Sequence, residues 1–374
     1  MLRRIILISV LFLLVSPSFG LDKIRSDIKI GLAVNTKGFA VSSRENLLIT
    51  DAQNKKITLQ KNTPTRLQFA GGKVNVGNNS MTLPIKIESS SLISINGKHY
   101  HGYFSITKSR RGTGLNIINV LSFEDYIKGV VPKEAMSDWN IEALKTQSVI
   151  SRTYAAASLG RHSAEGFDLC DTTHCQVYGG ADVETDASNK AVERTAGEML
   201  TYRGKLAETL FFSNSGGATE NPRYVWGWQD TPAYLKGVKD PYSKDQPNYS
   251  WETVVPESLI EQKLNIGQIS SIKISGKNPS GSAETIVIKH SKGTAVIKAA
   301  QFRMTIDPNK IKSTLITSIR KQGSNIIFKG NGWGHRVGLS QWGAKAMADK
   351  GFGYKRILTF YYPQTRIEKV HYEK

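Results

Sequence analysis

The sequence predicts a mixed α+β fold, in which a β-rich N-terminal domain at residues 21–119 precedes a core of mixed helices and strands at residues 120–374. Two observations support this prediction. Short β-type runs separated by Gly, Asn and Ser turns fill residues 28–119, without a helical stripe. From Val120 onward, segments with helical periodicity and caps alternate with further β-type runs. A chain of 374 residues is long enough for two domains.

The first 20 residues predict a secretory signal. Arg3 and Arg4 precede an apolar run at residues 5–15, and small residues lead to a cleavage point before Leu21. No later segment reaches the roughly 20 apolar residues that a membrane-spanning helix needs. We therefore expect an exported protein, in the periplasm, the cell wall or outside the cell, with no membrane span after signal removal. A signal retained as an anchor is the alternative.

The net charge indicates an anionic neighbour. The chain has 50 Lys and Arg against 31 Asp and Glu, a net charge of +19. An exported chain rarely meets nucleic acid, so we expect no nucleic-acid partner and favour anionic wall polymers over lipid head groups. The alternative is that the excess charge serves only solubility.

The β-type runs of the N-terminal domain follow one another closely, joined by turns such as NVGNNS and INGK. In order they are IKIGLAV, LLIT, KITLQ, TRLQF, KVNV, TLPIKI, LISI and HGYFSITK.

The first element of the core is an apolar run at residues 127–131, which predicts a strand that ends before Pro132. Glu134 is then expected at a strand-to-helix junction, where side chains are commonly offered to a ligand. Asn140 is a predicted N-cap for a helix over residues 141–159, which contain neither Gly nor Pro.

Later segments predict a second helix at residues 186–196, stopped at Gly197, and then a hairpin-like pair, MLTYRG and KLAETLFFSNS. The long loop at residues 216–249 carries Trp226 and Trp228, and loops of this size are typical of binding.

The C-terminal part of the core combines β-type runs with one more helix. The runs are SIKIS, ETIVIKH, TAVIKA and NIIFKG. Ser340 is a predicted N-cap for a helix that ends at Gly351.

Four potential metal ligands lie close together in the sequence: His162, Cys170, His174 and Cys175. The chain has only two cysteines, and in an exported protein two cysteines most often form a disulfide. Zinc is the competing interpretation, because thiolates and imidazoles are its usual ligands. The residues alone leave both alternatives open.

Four blocks occur in an order that resembles the SpoIID/LytB family, the stage II sporulation protein D and amidase-enhancer relatives that act on peptidoglycan. The blocks are YIKGVVPKEAMSDWNIEALKTQSVISRTYA, DLCDTTHCQVYGG, FFSNSGGATE and GNGWGHRVGLSQWGA. The likeness spans nearly the whole chain after the signal. It implies a catalytic core with a substrate cleft, and lytic transglycosylase activity on peptidoglycan glycan strands, often on strands stripped of peptides. The family's catalytic acid falls on Glu134.

The resemblance also implies a mainly structural zinc ion, held by one upstream histidine and both cysteines. Carried over by position, these ligands are His162, Cys170 and Cys175. His174 is the substitute for the histidine. The zinc ion would shape the loop that ends in Gln176 and Tyr178.

Substrate contacts are expected from residues spread over the matching blocks: Arg152, Gln176, Tyr178, Ser215, Gly216, Glu220, His335 and Gln341. Arg152 has a second interpretation as half of a buried ion pair. Gly216 also has a second interpretation, as part of a tight turn. Arg336 stands where the family commonly has glycine, which predicts a narrower or more charged cleft.

Glycosidic cleavage by a single acid sets a requirement on Glu134. Its pKa must be raised, through burial beside Val130, Val131 and Trp139, so that it is protonated near neutral pH. The competing role is structural: an acid near a helix N-terminus stabilises it by about 0.3–1 kcal/mol. The alternative functions are a non-catalytic enhancer that partners a cell-wall amidase and, with less support, a zinc hydrolase.

Overall fold

The computed structural model describes residues 24–373 and confirms the mixed α+β class with a β-rich N-terminal region. The predicted secretory signal lies outside the described residues. Within residues 24–373, no helix is both long and apolar enough to cross a membrane. The division of the chain at residues 119 and 120 stays a prediction.

Two antiparallel sheets form the N-terminal region. Their strands are β1 (Asp27–Thr36), β2 (Gly38–Ser43), β3 (Leu47–Thr50), β4 (Lys56–Leu59), β5 (Thr65–Ala70), β6 (Lys73–Val76), β7 (Asn79–Met81), β8 (Ile85–Glu88), β9 (Ile93–Ile95), β10 (Lys98–Tyr100), β11 (Tyr103–Lys108) and β12 (Leu115–Ser122). One sheet has the order β1-β12-β11-β8-β3-β4 and the other β10-β9-β2-β5-β6-β7. Alternating apolar residues of both sheets, such as Ile49 and Leu67, meet in one core.

The remaining elements alternate between helices and short strands. The helices are α1 (Phe123–Glu134), α2 (Ile141–Ala157), α3 (Asp186–Arg194), α4 (Pro222–Trp226), α5 (Glu257–Leu264), α6 (Ala299–Ile306), α7 (Gln341–Asp349) and α8 (Tyr354–Tyr361). The strands are β13 (Leu169–Cys170), β14 (Glu198–Tyr202), β15 (Lys205–Leu206), β16 (Phe211–Phe212), β17 (Ser250–Pro256), β18 (Ile269–Lys277), β19 (Ala283–His290), β20 (Gly293–Lys298), β21 (Ile316–Gln322), β22 (Asn325–Asn331), β23 (Leu339–Ser340) and β24 (Arg366–Lys369). β13 adds to the first sheet in parallel with β1.

The predicted strand at residues 127–131 is wrong, because these residues lie inside helix α1. Ser122 caps the helix by accepting a hydrogen bond from the Asp125 N–H. The apolar stripe faces the core at helical spacing, through Phe123, Tyr126, Ile127, Val130 and Val131. Burial of this stripe outweighs the strand preference of its valines and the position of Pro132 in the last turn.

The other predicted helices are confirmed at their caps. Asn140 accepts a hydrogen bond from the Glu142 N–H at the start of α2, and Ser340 accepts one from the Gly343 N–H at the start of α7. The predicted hairpin is formed by β14 and β15. Its two turn residues, Arg203 and Gly204, both have positive φ, as tight hairpin turns require.

Strands β17–β22 and helices α5 and α6 enclose a core of their own, which includes Trp251, Phe302 and Phe328. β17, β22 and β21 form one three-stranded sheet, and β18, β19 and β20 form another. The parallel pair of β16 and β23 brings the chain on either side of this region together.

Candidate active site and metal-ligand cluster

Glu134 is the last residue of α1 and precedes a short loop that leads to α2. It therefore lies at a helix C-terminus, not at the predicted strand-to-helix junction. Burial raises the pKa of its carboxyl from 4.5 to about 7, while a main-chain hydrogen bond from Val177 and the charge of Lys133 pull it down. The negative end of α1 gives a carboxylate no helix-dipole stabilisation, so the proposed helix N-terminal role has no basis here.

A line of hydrogen bonds holds the main chain at Glu134. The Gln341 side-chain amide donates to the Glu134 carbonyl oxygen at 2.9 Å and to Gln147 Oε1 at 3.4 Å. Gln147 in turn donates to Ser151 Oγ at 3.0 Å. Because Gln341 follows β23 directly and Gln147 lies in the middle of α2, two rigid elements fix the position of the acid.

Aromatic side chains flank the same loop. Trp139, in the loop after Glu134, packs on Trp342 with ring centroids 5.0 Å apart. The main-chain N–H of Trp342 donates a hydrogen bond to the Ser213 carbonyl at 3.0 Å, which fixes Trp342 beside the chain that follows β16. The two indoles therefore pack together at the loop between α1 and α2.

The Gln176 side chain is buried beside this site and only half satisfied. Its Oε1 accepts a hydrogen bond from the Tyr126 hydroxyl at 3.2 Å, whereas its Nε2 has no partner among the described residues. The next residue, Val177, reaches the Glu134 carboxyl. The structure therefore brings the predicted residues Glu134, Gln176 and Gln341 together.

Tyr178 lies in the core. It is 5% exposed, and its hydroxyl donates to Asn119 Oδ1 at 3.1 Å. Its ring lies so close to Gly129 that a Cβ there would come within 2.4 Å of it. Tyr178 therefore packs the DLCDTTHCQVYGG loop against α1 and is not placed to contact a substrate.

The four potential metal ligands converge, with one donor atom from each lying within 4.8 Å of the others. Cys175 Sγ is 3.3 Å from His162 Nε2 and 3.5 Å from His174 Nδ1, and Cys170 Sγ is 3.7 Å from His174 Nδ1. A tetrahedral zinc ion with bonds of about 2.0–2.3 Å separates its ligand atoms by about 3.3–3.8 Å. These three separations match such an ion, and both cysteines are free rather than joined in a disulfide.

The surroundings of the cluster also suit a metal. Glu165 Oε2 lies 3.4 Å from His162 Nδ1, and the other ring nitrogen, Nε2, faces Cys175, as in carboxylate–histidine–zinc arrangements. Burial lowers the pKa of both His162 and His174, so both imidazoles stay neutral and able to coordinate. His174, predicted only as a substitute, completes a four-residue set, which is typical of structural zinc.

Replacing Glu165 with glutamine tests the role of this carboxylate. We expect Glu165→Gln to lower zinc affinity by about 10- to 100-fold, because the uncharged amide is a weaker acceptor for the His162 ring than the carboxylate that orients it. Competition with a chromophoric chelator measures the affinity. The control is Glu193→Gln, which removes an exposed carboxylate. Unchanged zinc affinity in Glu165→Gln would contradict the assignment.

The Arg152 side chain is fully buried, and groups of the protein itself accept its hydrogen bonds. Its guanidinium donates to both Glu124 oxygens, at 2.9 and 2.7 Å, and to the Val192 and Glu198 carbonyls. Of its two predicted interpretations, the structure shows the buried ion pair, and no part of Arg152 reaches a cleft.

Ser215 and Gly216 form a turn inside the protein. The Ser215 hydroxyl lies 2.7 Å from both Asp240 Oδ2 and Ser243 Oγ. Gly216 has a φ of +67°, and a Cβ at this position would come within 2.7 Å of the main chain at Asn331. Both residues are buried, so the tight-turn interpretation applies.

Glu220 and Arg336 are also buried, at 2% and 0% exposure. Glu220 accepts a hydrogen bond from Asn278 Nδ2 at 2.9 Å. Arg336 donates to the Ser215 and Ala218 carbonyls, each at 2.7 Å. The predicted effect of Arg336 on a cleft is therefore wrong. Its φ of 66° is a conformation that glycine adopts without strain, which fits the glycine that the family resemblance implies at this position.

His335 belongs to an aromatic group separate from the Glu134 contacts. Its ring lies 5.2 Å from Trp226 and 5.6 Å from Phe212, measured between centroids. Burial, with the nearby charge of Arg303, lowers its pKa to about 4. His335 is therefore neutral at physiological pH.

Several residues at the site were missed from sequence: Tyr126, Gln147 and Val177. Tyr126 carried a signal, since it belongs to the helical stripe of α1 one turn before Val130. Gln147 and Val177 carried none, because their partners come from other parts of the chain.

The raised pKa of Glu134 predicts a pH-dependent difference in stability between the protein and Glu134→Gln. The folded pKa of about 7 exceeds the ordinary 4.5, so the carboxyl favours folding below pH 4.5 and loses that contribution as the pH rises through 7. Glutamine does not titrate. Relative to the unchanged protein, Glu134→Gln should therefore gain up to about 3 kcal/mol between pH 4 and pH 8. Urea unfolding across this range measures it, and a pH-independent difference would contradict the buried carboxyl.

The comparisons with known proteins match the part of the chain that carries these residues. The family model described as stage II sporulation protein matches residues 111–202, which include Glu134 and the metal-ligand cluster. A model described as a domain of unknown function matches residues 246–338.

The relatives extend the match over most of the chain. An uncharacterized protein of Brachyspira hyodysenteriae is 33% identical and aligns over 90% of this chain and 89% of its own. The amidase enhancer of Bacillus subtilis is also 33% identical over 80% of this chain, which spans 49% of that longer protein. Stage II sporulation protein D of Bacillus subtilis is 31% identical over 67% of this chain and 75% of its own. The chain therefore belongs to the stage II sporulation protein D family.

Proposed function

We propose that this chain is an exported lytic transglycosylase that cleaves peptidoglycan glycan strands, with Glu134 as acid and then as base. One observation carries the proposal: burial raises the pKa of the Glu134 carboxyl to about 7. A carboxyl that keeps its proton near neutral pH can protonate a glycosidic oxygen. Membership of a family that includes an amidase enhancer supports a role in the cell wall.

The reaction needs a single residue that works twice. Glu134 gives its proton to the leaving oxygen as the C1–O bond breaks, and C1 develops oxocarbenium character. The resulting carboxylate accepts the proton of the sugar's own 6-hydroxyl, whose oxygen bonds to C1. The new end is a 1,6-anhydro ring, and no water is consumed.

The four-residue cluster would hold zinc through His162, Cys170, His174 and Cys175. Bound zinc would cross-link the loop and fix its shape. The same loop continues through Gln176 to Val177, whose main chain donates a hydrogen bond to the Glu134 carboxyl. We propose that the cluster serves the site by positioning these two residues. Four protein ligands leave no open position for a water, so the arrangement disfavours a zinc hydrolase.

A non-catalytic amidase enhancer is the second candidate function. The 33% identity to the amidase enhancer of Bacillus subtilis favours it, and a cell-wall amidase would be the partner. An enhancer has no need for a carboxyl that stays protonated near neutral pH, so the raised pKa of Glu134 favours the enzyme.

Strand-length analysis tests the proposal and separates the two candidates. The purified protein is incubated with peptide-free and with peptide-bearing glycan strands, each with and without a cell-wall amidase. We expect strands to shorten without amidase. Faster peptide release by the amidase, with no shortening of either substrate, would overturn the proposal in favour of the enhancer.

A further inference from the structure

Two contacting short helices carry exposed apolar side chains outside the Glu134 site. On α4, Tyr224 is 41% and Trp226 45% exposed, and on the adjacent α6 Met304 is 62% exposed. These are three of the seven large hydrophobic residues that are exposed in residues 24–373. Single exposed hydrophobics are ordinary, but a group of them marks a binding surface.

Trp226 is part of a row of rings. Its centroid lies 5.8 Å from that of Trp228 and 5.2 Å from that of His335, which packs on Phe212 in turn. The row is uncharged, because burial lowers the pKa of His335 to about 4. Flat, rigid aromatic faces of this kind pack well against the apolar C–H face of a sugar ring.

Arg303, beside this row on α6, lacks a counter-charge. Its Nε is buried without a hydrogen-bond partner among the described residues. Its other nitrogens donate only to Met304 Sδ and to the Pro308 carbonyl, each at 3.4 Å. No carboxylate of residues 24–373 lies within ion-pair distance of it. Its charge is near enough to His335 to lower the pKa of that residue. A guanidinium partly removed from water, with donors to spare, is suited to a carboxylate.

We propose that Trp226, Trp228 and Arg303 form a subsite for an acidic amino sugar of the glycan strand. The sugar ring stacks on the indoles, and its free carboxylate pairs with Arg303. The inference rests on the proposed function, because it takes a glycan strand as the ligand. It adds a specificity-determining contact from the region at residues 246–338, which carries Arg303.

The strand pair β16 and β23 connects this subsite to Glu134. Phe212 of β16 packs on His335, and Gln341, directly after β23, donates to the Glu134 carbonyl. A glycan strand bound at the subsite therefore lies against the same β16–β23 pair that precedes Gln341, the residue that positions Glu134. In peptidoglycan, the carboxylate of the lactyl-bearing sugar is free only where its peptide is absent. Arg303 would therefore favour peptide-free strands.

Binding to two matched glycans tests the subsite without turnover, in the Glu134→Gln background. The probes are peptide-free glycan strands and chito-oligosaccharides of equal length, which lack the carboxylate. We expect Arg303→Gln to weaken binding of peptide-free strands by about tenfold or more, and to leave chito-oligosaccharide binding unchanged. Trp226→Ala should weaken both. Arg320→Gln, which removes one exposed charge from β21, is the matched control and should change neither.

The outcomes separate a carboxylate-specific subsite from a general effect of charge. The inference would be overturned if Arg303→Gln weakened binding of both probes equally, or of neither. It would also be overturned if the protein with Arg303, Trp226 and Trp228 intact did not bind peptide-free strands. If Arg303→Gln does not fold, Arg303→Lys keeps the charge without the guanidinium and should weaken the acidic probe alone. Strand cleavage is a separate readout: a protein that discriminates the probes but cuts neither would contradict the proposed function and leave the subsite standing.

Discussion

Glu134→Gln should reduce strand cleavage by about 10²- to 10⁴-fold, the usual contribution of general acid–base catalysis. Glutamine is nearly the same size and keeps the main-chain bond from Gln341, so the site's shape is retained. It has no proton to give to the leaving oxygen and no carboxylate to accept one afterwards. Both half-steps are lost together.

The initial rate of strand shortening measures this loss. Asp138→Asn is the matched control, because it removes an exposed carboxylate from the same loop. Activity should persist in the control. The rate of the unchanged protein should fall as the pH rises above about 7, since the acid form of Glu134 is then depleted. A Glu134→Gln variant that cuts strands at the original rate would remove Glu134 from the mechanism.

Arg152→Met should destabilise the protein by about 3–5 kcal/mol, the usual effect of breaking a buried ion pair by removing one partner. The substitution leaves the Glu124 carboxylate without its bidentate partner, although Glu124 still accepts from the Gly197 N–H and the Tyr372 hydroxyl. The pair joins α1, α2, α3 and β14, so its loss affects the packing of helix α1 against these elements.

Urea unfolding of a double variant separates the pair from simple loss of packing. Arg152→Met combined with Glu124→Leu should recover part of the loss, because no unpaired carboxylate remains. The recovery should be incomplete, because the Gly197 N–H and the Tyr372 hydroxyl then lose their acceptor. Lys329→Met, which breaks an exposed pair with Glu252, should cost only about 0–1 kcal/mol. If Arg152→Met costs no more than Lys329→Met, the pair is not the structural joint described above.

Features encoded by near neighbours were predictable from the sequence. The Asn140 and Ser340 caps depend on residues two or three positions away, and both formed as expected. The metal-ligand cluster also lies within 14 consecutive residues, His162 to Cys175. Local sequence was enough to predict the two caps and to mark the four residues of the cluster, but it left a disulfide and a zinc site both open.

Features set by distant partners were not predictable in the same way. Arg152 and Arg336 resemble substrate-binding cations in a linear sequence, but they pair with groups 28 and 121 residues away. The valines of α1 and Pro132 favour a strand locally, so the sequence predicts a strand at residues 127–131 where the structure has a helix. Its burial against the N-terminal sheets decides otherwise. The position of Glu134 at a helix C-terminus follows from that burial.

The central claim is that Glu134 closes an anhydro ring without using water. Its most direct test is mass analysis of the new strand ends formed in water enriched in heavy oxygen, by the unchanged protein and by Glu134→Gln. We predict 1,6-anhydro ends free of solvent oxygen from the unchanged protein, and almost no new ends from the variant. Reducing ends that carry solvent oxygen, or anhydro ends from both proteins at the same rate, would contradict the mechanism.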